Sequence, residues 1–120
     1  MSTYELVKAK AAAAKKAAGK LAITNTAVKN KAMLAMAQAL LDKQEEILAA
    51  NAVDMEAAAA KGMKASMLDR LKLTPERIAG MAEGIRQVAV LPDPVGRILE
   101  EYTRSDGLLI RKTAVPMGVI

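Results

Sequence analysis

The sequence predicts a mainly α-helical segment followed by a β-hairpin. Three observations lead there. Before residue 90, apolar residues recur at helical spacing in several separate runs. Pro92 and Pro94, two prolines in three residues, cannot continue such a pattern. From Val95 the period changes to two, and Asp106-Gly107 sits between two alternating runs, a strong short-range hairpin signal. The expected boundaries are helices over 1–92 and a hairpin over 95–115.

The first helix opens with Ser2-Thr3-Tyr4-Glu5. The serine can cap the first free N–H groups while the glutamate reaches back to the cap. Ala and Lys carry the helix on to Ala18, and Gly19 is its expected stop. Thr24-Asn25-Thr26 is a second cap cluster. After it, Met33, Met36, Ala37, Leu40 and Leu41 follow the amphipathic template. The phase breaks at Asp42-Lys43, and Ile47, Leu48 and Val53 begin a new stripe. Two helices with a tight joint are therefore expected, the second ending at Lys61-Gly62. Residues 65–71 make a short helix or a single turn.

Thr74-Pro75 starts the next helix, with Thr as cap, Pro in the first turn and Glu76 complementing the positive helix end. Ile78, Met81, Ala82, Ile85, Val88 and Ala89 mark its buried face. Gly80 and Gly84 each cost about 1 kcal/mol of helix stability relative to Ala, which favours close approach of another backbone. After the hairpin, Pro116-Met117-Gly118-Val119-Ile120 opens a further apolar run. The chain stops inside that run, so a longer natural protein is expected.

Composition excludes most chemistry. There is no Cys, His, Trp or Phe, and the only aromatics are Tyr4 and Tyr102. No thiol nucleophile, Ser-His-Asp triad or imidazole-based metal site can be built from these residues. At 120 residues the chain is at most one ordinary domain. Its apolar content is dominated by Ala, with eight Met, so each side chain covers little area. The net charge of +5 is concentrated early, where Lys8, Lys10, Lys15, Lys16, Lys20, Lys29 and Lys31 face only Glu5. Without interleaved aromatics or early Arg, this reads as a solvated helix face, and no nucleic-acid partner is expected. No apolar run approaches the roughly 18 residues of a membrane span, and no signal-peptide core is present. The expected location is cytoplasmic.

The chain resembles the N-terminal part of the γ-glutamyl phosphate reductases (glutamate-5-semialdehyde dehydrogenases) of the aldehyde dehydrogenase superfamily. The residues that carry the resemblance begin with Ala50-Asn51 and Asp54, then Leu68-Asp69-Arg70-Leu71-Lys72-Leu73-Thr74. Gly84-Ile85-Arg86-Gln87-Val88, Leu91-Pro92-Asp93-Pro94-Val95-Gly96, Asp106-Gly107-Leu108 and Val115-Pro116-Met117-Gly118-Val119-Ile120 follow. Their order and spacing fit from about residue 5 onward; Met117 stands where Leu is expected. The resemblance implies that 1–120 is an incomplete N-terminal part of an α/β, Rossmann-type NADP-binding domain, with 116–120 entering a core strand. It further implies an enzyme that reduces L-glutamate 5-phosphate to L-glutamate 5-semialdehyde with NADPH in L-proline biosynthesis, as a homo-oligomer without a membrane partner. Similar enzymes use a Cys nucleophile, which this sequence lacks. No catalytic, cofactor-binding or metal-ligating residue is therefore assigned here, and the chain by itself is expected to be inactive.

The remaining clusters read as structure. Asp42, Glu45, Glu46, Asp54 and Glu56 are helix-surface charges rather than a metal patch. Asn51 and Asp54, three apart on one face, are expected to tie their helix to a neighbouring loop. Asp69-Arg70 is read as a cap and a packing arginine rather than an anion clamp. Gly118 lacks the companion glycines of a dinucleotide fingerprint. The alternative to a reductase segment is a free-standing helical module that binds a partner through Ala- and Met-rich faces.

Overall fold

A computed structural model describes residues 2–120; Met1, where the expected helical part begins, lies outside the described residues. Five helices precede a two-stranded antiparallel sheet: α1 Thr3–Ala22, α2 Thr26–Asp42, α3 Gln44–Ala60, α4 Ala65–Leu71, α5 Pro75–Ala89, β1 Ile98–Thr103 and β2 Leu109–Thr113. The expected class holds. The chain packs as two compact units rather than one. Ala27–Leu91 forms one, and the residues up to Thr26 with Pro92–Ile120 form the other. Among the described residues, all the buried apolar ones belong to the first.

In that first unit, α2 and α3 meet at Lys43. Its ψ of 19° breaks the helical path while its N–H still donates to the Ala39 carbonyl at 3.0 Å. α3 ends in a glycine-reversed cap. Gly62 takes φ +75°, its N–H donates to Ala59 O at 2.9 Å, and that of Met63 to Ala58 O at 3.1 Å. Thr74 caps α5 by accepting from the Arg77 N–H, with Pro75 in the first turn. The core is Ala37, Ala58, Ile78, Ala82 and Ala89, and Ile78 is its one large, fully buried side chain. Alanines at these positions let helix backbones come close but cover little area.

Three expectations fail here. Val53, placed on the new stripe of α3, is 67% exposed, because the face turned inward is that of Asn51 and Ala58. Met36, Met81 and Val88 occupy the apolar stripes of α2 and α5 yet remain exposed. The other residues of the two stripes are buried or half-buried. Gly80 and Gly84 do not receive a neighbouring backbone; a Cβ at either would meet nothing within 4 Å.

In the second unit, α1 begins with the expected reciprocal cap. The Glu5 N–H donates to Ser2 Oγ at 3.2 Å and the Ser2 N–H to Glu5 Oε2 at 2.7 Å. It does not stop at Gly19 but runs on to Ala22, since a single glycine costs less than Lys20-Leu21-Ala22 recover by continuing. Thr24 Oγ1 then donates to Lys20 O at 2.8 Å and ends it. α1 buries no residue. Asp93 organises the segment before the hairpin, accepting from Thr26 Oγ1 at 2.8 Å and the Val95 N–H at 3.0 Å. The strands pair from Ile98 with Thr113 to Thr103 with Leu109, and Leu99 is the extra residue of a bulge. The hairpin reverses over Ser105, Asp106 and Gly107. The Gly107 N–H donates to Arg104 O at 2.9 Å, and φ of +86° makes glycine the fitting residue there. Residues 116–120, expected to enter a core strand, are unpaired among the described residues, and Met117 and Ile120 are exposed. A strand needs a neighbour for its backbone groups, and the sheet has only two strands.

Candidate functional site

The densest polar arrangement lies where α3, α4 and α5 meet. Asn51 is the one buried polar residue among those described. Its Nδ2 donates to Leu71 O at 2.9 Å, and its Oδ1 accepts from the Leu73 N–H at 2.8 Å. One side chain thus serves both backbone groups left open where α4 ends, which the helix ladder cannot reach. The expected tie from α3 to a loop is real for Asn51; Asp54, three residues on, is exposed.

Asp69 has a partner, but not Arg70. Arg77, in the first turn of α5, puts Nη2 at 3.0 Å from Asp69 Oδ1, and Nη1 donates to the Asp69 and Lys72 carbonyls. Arg70 is exposed. Adjacent residues on a helix face different directions, so Asp69 could not share a site with Arg70. The signal that points to Arg77 is its place three residues after the Thr74 cap, where the side chain can reach back over the preceding loop. Three of its N–H donors go to the chain's own carbonyls and carboxylate, so the cluster acts as a strap.

Two grooves lie in the same unit. One, about 340 Å³, is lined by Leu48, Asn51, Ala52, Met55, Lys72 and Leu73. The other, about 410 Å³, is lined by Met33, Met36, Met81, Gly84, Ile85 and Val88 and is wholly apolar. Neither presents a nucleophile beside a base.

Two acidic residues of α2 and α3 serve locally. Asp42 accepts from Gln38 Nε2 at 2.9 Å, and Glu46 lies 3.6 Å from Lys43 Nζ. No three potential metal ligands cluster among the described residues. In the hairpin, Arg111 Nε donates to Glu101 Oε2 across the strands, and Arg104 pairs with Asp106 at 3.0 Å. Two carboxyls sit below the ordinary glutamate range. The Ser2 backbone N–H and then its hydroxyl hold Glu5 down. Glu76 is held down by its own backbone N–H and then by the Thr74 hydroxyl. Both are cap interactions at helix starts.

Among the described residues no run of glycines leads into a helix to form a phosphate loop; Gly118 has φ +92°. The helix starts at Ser2 and Thr74 are filled by the chain's own cap groups. No helix among the described residues is long and apolar enough to cross a membrane.

No protein-family model matches the chain. Individual relatives do. A gamma-glutamyl phosphate reductase of Methylocella silvestris is 57% identical over 91 residues, 76% of this chain and 21% of the relative. One from Heliobacterium modesticaldum is 48% identical over 120 residues, all of this chain and 29% of the relative. The crystal structure of the enzyme of that name from Thermotoga maritima matches with a TM-score of 0.82 and 39% identity, over 89% of this chain and 26% of that one. The chain thus spans under a third of the length of the relatives it matches. These relatives lend no support to a free-standing partner-binding module. By both sequence and fold, the chain belongs, over the segment it spans, with the gamma-glutamyl phosphate reductases.

Proposed function

We propose that this chain is the N-terminal part of an enzyme that reduces L-glutamate 5-phosphate to L-glutamate 5-semialdehyde, releasing phosphate, with NADPH as reductant. The observation that carries the reading is the 48% identity sustained over all 120 residues with a reductase of that name. In this reading 1–120 is an incomplete part of the NADP-binding domain, and 116–120 enters a core strand completed by polypeptide outside these residues. The nucleophilic thiol also lies outside them, since the sequence contains no Cys. What these residues contribute is packing. The Asn51 tie and the Arg77 strap fix α3, α4 and α5 as one block. The enzyme works in L-proline biosynthesis, in the cytoplasm, as a homo-oligomer.

The test joins this chain to the remainder of the Heliobacterium modesticaldum reductase in place of that enzyme's own matched segment. Phosphate-dependent reduction of NADP⁺ with glutamate 5-semialdehyde, the reverse reaction, is the expected result. A joined protein that folds but shows no such activity would count against the reading. The 120 residues alone are expected to consume no NADPH with glutamate 5-phosphate.

A further inference from the structure

We infer that the apolar groove between α2 and α5 is a docking surface for polypeptide, and that its occupant is the part of a reductase lying outside the segment this chain matches. The identity of the occupant rests on the proposed function; the openness of the groove does not. Its lining carries no charged or hydrogen-bonding side chain. A phosphate, a nucleic acid or a polar metabolite finds no partner there, whereas an apolar helix or strand does. Met36, Met81 and Val88 present flexible or branched apolar surface at 46–58% exposure.

Gly84 lines this groove, and Gly80 lies one turn before it on α5. Neither has the positive φ that would demand glycine. Neither has a neighbour that a Cβ would strike. Within this chain, then, both weaken the helix for no return. A bare helix surface does one further thing: it lets another backbone approach closely.

The relatives supply the material, since the matched segment is only 21–29% of their length. A second copy of this chain is the competing occupant.

The test uses the 120-residue chain and the joined protein described above, each with Gly84→Leu, Gly84→Ala or the control Ala79→Leu. Ala79 is exposed on α5 and lies away from the groove lining. In the chain alone, both glycine substitutions should leave the thermal midpoint unchanged or raise it. In the joined protein Gly84→Leu should lower the midpoint by 5 °C or more and Gly84→Ala by less, while Ala79→Leu leaves it within 1–2 °C. Equal shifts for Gly84→Leu and Ala79→Leu in the joined protein would overturn the inference. So would a joined protein that never melts cooperatively, because the face then lacks the complement it is inferred to fit. A dimer of the 120-residue chain that Gly84→Leu dissociates in sedimentation would also overturn it, with a second copy as the occupant. Reductase activity is read separately. Its absence from a folded joined protein would count against the proposed function while the glycine result stands.

Discussion

Asn51 and Arg77 show how differently two polar side chains at one junction contribute. Asn51 is buried and serves a carbonyl and an N–H that no helix ladder reaches. Removing it leaves both unsatisfied, and such groups cost about 1–3 kcal/mol each when buried. Asn51→Ala should therefore lower the unfolding free energy by about 2 kcal/mol, read by denaturant melts followed at the helical circular dichroism band. The Leu73 amide should lose exchange protection first. A change below about 0.5 kcal/mol would show that water replaces the amide freely. Arg77 is about half exposed, and exposed ion pairs contribute less. Arg77→Ala should cost about 1 kcal/mol or less and change little with added salt, because carbonyl acceptors carry much of its contact.

At the scale of elements, helix starts are where local chemistry decides most. Thr74 caps α5, which carries Ile78, Ala82 and Ala89 of the core. Thr74→Ala should destabilise the chain by about 1 kcal/mol, while Thr74→Ser restores most of that loss. The same starts set an acid response. Glu5 and Glu76 are held below the ordinary glutamate range by hydrogen bonds from their caps. A carboxyl depressed on folding stabilises above its unfolded pKa and loses that contribution as pH falls through the folded one. Helix signal should therefore decline between the ordinary glutamate range and lower pH, and Glu5→Gln with Glu76→Gln should flatten that limb. Both carboxyls are fully exposed, so raising the salt concentration should shrink the effect. An unchanged acid limb in the double variant would refute it.

For the whole molecule, the limiting quantity is core volume. Four of the five buried apolar residues among those described are alanines, so Ile78 carries much of the burial. Ile78→Ala removes about 2–5 kcal/mol, a large part of the roughly 5–15 kcal/mol of a small domain. That variant should keep helical circular dichroism but lose its calorimetric transition. The parent chain should bind a dye for exposed apolar surface and self-associate with rising concentration, as its many exposed Leu, Ile, Val and Met residues imply. A sharp calorimetric peak from a monomer at all concentrations would contradict that expectation.

By itself, the sequence determined the elements: Ser2 and Thr74 as caps, the joint at Asp42-Lys43, Gly62 as the end of α3, and the Asp106-Gly107 reversal. Each is set by residues within a few positions of one another, through φ preference, cap hydrogen bonds or hydrophobic period, and needs no distant partner. The same locality made the order of motifs legible, and with it the resemblance to the reductases. Tertiary structure alone decided which arginine meets Asp69, that Asn51 binds the end of α4 while Asp54 stays in water, and that Gly80, Gly84, Met36, Met81 and Val88 are left open. Those outcomes depend on which helix lies beside which, and helical period tells which residues share a face but not what that face will meet.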